Sequence, residues 1–153
     1  MYKTAVVDTS VLIALEKINM LDLLCKLYKT IILPKSVYNE FGNITLNCIE
    51  IREIYDDFQN ILCINLGKGE TEAILLAYRY KLPILIDDLK ARKVAKILNL
   101  KVSGTIGLLL SAFQKGYVNN ALDILLKLRD KGFYISENLW KEVEEFIREN
   151  PKR

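Results

Sequence analysis

Four apolar residues in a row, Pro83-Ile84-Leu85-Ile86, run directly into Asp87-Asp88, and this segment limits the possible folds more than any other. A strand without a polar side belongs where both of its faces are buried, inside a parallel sheet covered by helices. The neighbouring sequence agrees. Thr4 to Val7, Thr30 to Leu33, Ile61 to Ile64 and Lys101 to Ser103 read as further short strands, separated by stretches of helical period. Helices are expected over Val11–Leu15 and around Leu21–Leu27, and from Pro34 through Val37, Glu40 and Phe41, with a turn at Gly42–Asn47. Ile49–Phe58 also carries segregated acidic and apolar residues at roughly helical spacing and is expected to be a helix. Gly67-Lys68-Gly69 breaks the chain before a helix at Glu70–Tyr80, and a basic helix follows at Leu89–Leu98. Ile106–Lys115, Asn119–Asp130 and Ser136–Glu149 supply three more. The prediction is an α/β fold in three layers: a central parallel sheet flanked by helices, with extra C-terminal helices.

The chain has 153 residues, 51% of them hydrophobic, enough for one core and one domain over residues 1–149, with a frayed tail at 150–153. No apolar run approaches the ~20 residues of a membrane span, and Met1–Val7 lacks a signal-peptide pattern, so a soluble cytoplasmic protein is expected. Cys25, Cys48 and Cys63 are odd in number and widely spaced, which favours reduced, buried thiols over a disulfide or zinc site. Histidine is absent, and with it the commonest general base and every Ser-His or Cys-His nucleophile. A net charge of +3 would tolerate a polyanionic partner without requiring one.

Chemistry must therefore come from carboxylates, lysine, tyrosine or metal. Asp8, Glu40, Glu70, Glu72, Asp87 and Asp88 all fall at strand ends or on helices that start beside them. In a parallel α/β sheet those positions converge on the crevice where ligands bind. Two like charges ~4 Å apart repel by about 4 kcal/mol at an effective dielectric near ~20, so such a cluster calls for a cation or raised pKa values. Oxygen-only ligation points to Mg²⁺ or Mn²⁺, and to metal-activated water attacking a phosphodiester. Each acid also has a plainer role. Asp8 and either Asp87 or Asp88 suit helix N-caps, Glu70 and Glu72 complement a helix N-terminus, and Glu40 suits a solvated helix face.

Val6-Val7-Asp8-Thr9-Ser10-Val11-Leu12-Ile13 resembles the opening motif of PIN domains, and Ile84-Leu85-Ile86-Asp87-Asp88 resembles their later strand ending in an acid. Gly67-Lys68-Gly69-Glu70-Thr71-Glu72-Ala73 is similar to the glycine-glutamate turn that opens a PIN helix, and Val37-Tyr38-Asn39-Glu40-Phe41 to the helix carrying the second acid. The resemblance spans most of the chain. It implies metal-dependent RNA cleavage by Asp8, Glu40, one of Glu70 and Glu72, and Asp88. The sequence departs from the pattern in the extra acid Asp87 and in Val102-Ser103-Gly104-Thr105, which lacks an acid after the last strand and offers Thr105 to orient a water or phosphate. Small PIN proteins of this kind include the VapC toxins of toxin-antitoxin pairs, which implies a homodimer and a small inhibitory antitoxin partner.

Thr9, Ser10, Lys68, Arg92 and Thr105 are the candidate substrate contacts, with Lys90, Lys93 and Lys96 extending a basic rim. An Asp88–Arg92 pair at i,i+4 on a solvated helix is the competing account of that rim. A receiver-like signalling domain fits less well, because it requires an acidic pair after the first strand where this chain has Asp8-Thr9-Ser10. A haloacid-dehalogenase-like phosphatase requires Asp-x-Asp, and Ser10 takes the third place. A PIN fold that binds RNA or a partner without cutting is the remaining alternative.

Overall fold

Successive side chains along each central strand join two different buried clusters, and both alternating sets are apolar. In the computed structural model, which describes residues 3–55 and 65–150, Ala5, Val7, Ile31, Leu33 and Leu85 belong to one buried cluster. Val6, Ile32, Ile84 and Ile86 belong to a second. The period of two sends successive side chains to opposite faces, so a sheet built from these strands must be covered on both. Among the described residues five strands form it: β1 (Thr4–Val7), β2 (Thr30–Pro34), β3 (Ile49–Arg52), β4 (Ile84–Leu85) and β5 (Val102–Ser103). Their order is β3-β2-β1-β4-β5, with every pairing parallel.

Among the described residues eight helices flank the sheet: α1 (Thr9–Lys17), α2 (Leu23–Leu27), α3 (Lys35–Phe41), α4 (Lys68–Tyr80), α5 (Leu89–Ile97), α6 (Thr105–Gln114), α7 (Ala121–Asp130) and α8 (Glu137–Glu149). Helices α4 and α5 cover one face with Ala73, Ile74, Leu76, Ala77, Ala91 and Ala95. The two alanines of α5 have no bulk to hold the helix off the sheet. Helices α1, α2, α6, α7 and α8 cover the other face, where the core reaches as far as Leu128 and Val143. The C-terminal helices thus complete the core.

The chain lays down β1, β2 and β3 in one direction, then crosses back to place β4 on the other side of β1. Connections leaving β1 and β4 therefore diverge and open a crevice at their carboxyl ends, the place where open α/β sheets bind ligands. The two strands are joined there by Asp8 N donating to Leu85 O at 2.9 Å.

Two expectations are corrected. Ile49–Arg52 is not the start of a helix but the edge strand β3, paired with β2 in the register Ile31↔Ile49 through Pro34↔Arg52. Tertiary pairing overrides the helical period because β2 offers an unsatisfied edge. The outward charges Glu50 and Arg52, bridged at 2.9 Å, are typical of an edge that faces water. The expected strand at 61–64 lies outside the described residues. Cys25 and Cys48 are disulfide-bonded, with Cα atoms 5.6 Å apart, and not reduced thiols. Their 23-residue separation hid that α2 packs where the chain enters β3, with Cys48 O accepting from Ile31 N. No helix among the described residues is long and apolar enough to cross a membrane.

Candidate functional site

Asp8 follows the last residue of β1 in extended backbone and caps α1, its Oδ2 accepting from Ser10 N at 3.2 Å and Ser10 Oγ at 2.8 Å. The capping role is real, yet it fixes the carboxylate at the mouth of the crevice with only 3% of its surface exposed. Burial raises the Asp8 pKa; the hydrogen bonds from Ser10 and Thr9 oppose that shift, and the charge of Glu40 adds to it. Ser10 Oγ in turn accepts from Asp87 N at 3.1 Å, so one hydroxyl ties the ends of β1 and β4 together.

Thr9 Oγ1 donates to Glu40 Oε2 at 3.2 Å, which draws the acid of α3 toward the first strand. Gly69 makes the third side possible. A Cβ there would stand 3.1 Å from Val37 Cγ2 and 3.4 Å from Glu40 Oε2, so glycine lets the first turn of α4 approach α3 this closely without either side chain giving way. That turn brings in Glu70, whose Oε1 accepts from Gly67 N at 3.1 Å as in a capping box. Glu70 Oε2 is buried with no hydrogen-bond partner. Burial raises the Glu70 pKa; the bond from Gly67 N opposes that shift, and the charge of Asp88, a hydrogen bond with the Asp88 carboxyl and the charge of Asp8 add to it. Asp88 caps α5, accepting from Ala91 N at 2.9 Å.

Asp8, Thr9, Ser10, Ser36, Glu40, Lys68, Glu70 and Asp88 line one cleft of about 570 Å³. Of the six acids read from the sequence, the fold brings Asp8, Glu40, Glu70 and Asp88 together and turns two aside. Glu72 is bonded to Ser36 Oγ and lines a smaller neighbouring cavity with Lys35, Asn39, Glu53 and Tyr55. Asp87 accepts from Thr105 N at 2.8 Å and Thr105 Oγ1 at 2.6 Å, so Thr105 serves to anchor that acid. Arg92 donates to Ile86 O at 3.0 Å and lines a different groove with Asp87, leaving Asp88 to its cap. Lys68 lies at the rim, touching both the main cleft and the smaller cavity. Ser36 is the contributor that sequence reasoning missed, and a serine one turn before Glu40 carried no signal of its own.

The electrostatics make a checkable demand. A buried acid with a raised pKa destabilises the fold while ionised; the cost is complete above the folded-state pKa and disappears as pH falls to the unfolded value. Asp8→Asn, which keeps an oxygen for Ser10, is therefore expected to raise the melting temperature in EDTA at pH 7 by about 2–4 °C, the effect of ~1 kcal/mol at this chain length. The gain should vanish near pH 4, as scanning calorimetry across pH would show. Gly104 is equally constrained. A Cβ there would lie 2.5 Å from Asp87 Oδ1 and 2.6 Å from Arg92 Nη1. Gly104→Ala is expected to cost about 1–3 kcal/mol in urea unfolding by displacing the Asp87–Thr105 anchor.

The family model described as DUF3368, PIN domain, matches residues 4–149. The chain belongs to the PIN-domain family. PIN domains are generally nuclease-like and generally use divalent metal ions. A solved PilT N-terminus domain protein from the hyperthermophilic archaeon Sulfolobus solfataricus shares the fold, with a TM-score of 0.52 and 20% identity over 71% of this chain and 92% of that one. No curated protein matches the chain. In this PIN domain no three acidic or cysteine side chains among the described residues already stand together as a metal cage.

Proposed function

We propose that this PIN domain is a metal-dependent ribonuclease that hydrolyses RNA phosphodiesters with Mg²⁺ or Mn²⁺ in the cleft between β1 and β4. The observation that carries the reading is the crowding of carboxyls around Glu70: its Oε2 is buried with no protein donor, and its carboxyl is pressed against those of Asp88 and Asp8 in the cleft all three line. A buried carboxylate oxygen without a donor is costly, and a bound cation removes the cost. The atoms that would ligate are all hard oxygens, which would suit an alkaline-earth-type ion that keeps several waters.

Asp8 and Glu70 would hold the ion, with Asp88 and Glu40 reaching it directly or through water. When bound, a divalent ion lowers the pKa of its water and offsets charge developing on the phosphate. The chain's own residues prepare that chemistry. Ser10 fixes the Asp8 carboxylate, and Thr9 holds Glu40 toward the cleft. Lys68 at the rim provides a cation for a substrate phosphate. Purified protein incubated with single-stranded and structured RNAs should cut with Mg²⁺ or Mn²⁺ and stop cutting in EDTA.

The finer part of the reading is a toxin-like component of a toxin-antitoxin pair, restrained by a small protein and assembled as a homodimer. Its support is an apolar groove of about 860 Å³ between α6 and α8, lined by Ile106, Leu110, Leu139 and Phe146. The lack of a ready-made cage is equally what an RNA-binding module that does not cut would show. RNA binding without cleavage under either metal would favour that module.

A further inference from the structure

The pole opposite the acidic cleft is basic, and the strand order makes it so. Lys3, Lys29 and Lys101 each stand immediately before a strand, β1, β2 and β5, and Lys81 caps the end of α4 just before β4. These four strands are consecutive neighbours in the sheet, so their leading lysines share one edge. The backbone fixes the arrangement: Lys29 N and Thr30 N both donate to Lys3 O, and Ile84 N donates to Lys101 O. All four side chains are exposed. Adjacent strands are ~4.8 Å apart, so the row is dense.

Beside the row lies a cleft of about 560 Å³ lined by Tyr78, Arg79, Lys81 and Lys101 over a floor that includes Leu82, Pro83 and Leu100. Arg79, Lys81 and Lys101 make three of its described lining residues positively charged. Tyr78 is 56% exposed at its rim. Tyr80, also exposed, has the Arg52 guanidinium 4.8 Å above its ring. A row of cations beside an exposed aromatic and an apolar floor is how proteins hold single-stranded nucleic acid: cations track the phosphates and a ring stacks a base.

We infer that the amino-terminal edge of the sheet is a second RNA-binding face, in which Lys3, Lys29, Lys81 and Lys101 contact the backbone and Tyr78 stacks a base. The inference deepens the RNA reading above but does not require cleavage. A strand held at both poles must run around the domain, so RNA reaching this face is gripped away from the bond to be cut.

The test is binding of about 20 nucleotides of fluorescein-labelled unstructured RNA in EDTA, measured by anisotropy from about 50 to 200 mM salt, with melting curves to establish folding. Lys3→Gln/Lys81→Gln/Lys101→Gln is expected to lower affinity about tenfold or more and to flatten the log-log salt slope by about 2. Tyr78→Ala should lose about fivefold or more with the slope unchanged. Should the triple variant melt below the assay temperature, each single lysine substitution should still lose about twofold. Unchanged affinity and slope in the lysine variants would overturn the face, as would wild-type protein that binds no RNA. So would RNA binding that survives while sedimentation with phosphatidylserine vesicles is lost. Cleavage is read separately: an active nuclease with unaffected variants sinks only this face, and variants that lose RNA affinity in a protein that never cuts sink only the nuclease.

Discussion

Asp8→Asn should lower kcat/KM for metal-dependent RNA cleavage about a thousandfold or more, the equivalent of ~4 kcal/mol of transition-state stabilisation. The size follows from placement. Asp8 is the most enclosed of the cleft acids and lies at the switch point itself, held by two bonds from Ser10. Asparagine has nearly the same shape and still caps α1, so the fold remains. What disappears is the charge proposed to hold the cation. The same substitution is expected to make the metal-free protein more stable, as argued above for its buried carboxyl. Because the cap is kept, lost activity with raised stability would assign the loss to the missing charge and not to the helix end. Steady-state cleavage and calorimetry on one preparation would read both.

Leu85→Ala is expected to lower stability by about 2–5 kcal/mol, a drop in melting temperature of roughly 5–15 °C. Leu85 is fully buried in β4 and pairs with Val7 on one side and Ser103 on the other. Its side chain enters the cluster that also holds Leu12, Leu108 and Leu109. A cavity there would open beneath the cleft, because Leu85 O accepts from Asp8 N. Cleavage should fall with the folded fraction in a urea titration and recover under conditions that restore folding. Asp8→Asn activity should not recover.

Much of this arrangement was legible in the residues. The run Pro83–Ile86 demanded a strand buried on both faces, and Ile84 and Leu85 form β4 between β1 and β5. Acids at strand ends implied convergence, and Asp8, Glu40, Glu70 and Asp88 do line one cleft. The parts that were not legible depend on contacts distant in sequence. That Glu70 lines the cleft while Glu72 turns aside depends on Ser36, on another helix, which bonds Glu72. That Asp88 lines the cleft while Asp87 does not depends on the Asp87–Thr105 anchor. The edge strand β3 and the Cys25–Cys48 link both exist because segments far apart in the chain meet, and no local period encodes such meetings. The basic edge had the same character: four lysines scattered from Lys3 to Lys101 become a row once the strand order is known.

The most direct test of the account compares RNA cleavage by wild type, Asp8→Asn and Glu72→Gln with Mg²⁺, Mn²⁺ and EDTA. The account predicts metal-dependent cutting by wild type, near wild-type cutting by Glu72→Gln, and no cutting by Asp8→Asn or in EDTA. Folded wild-type protein that cuts nothing under either metal, or cutting that persists in EDTA or in Asp8→Asn, would contradict it.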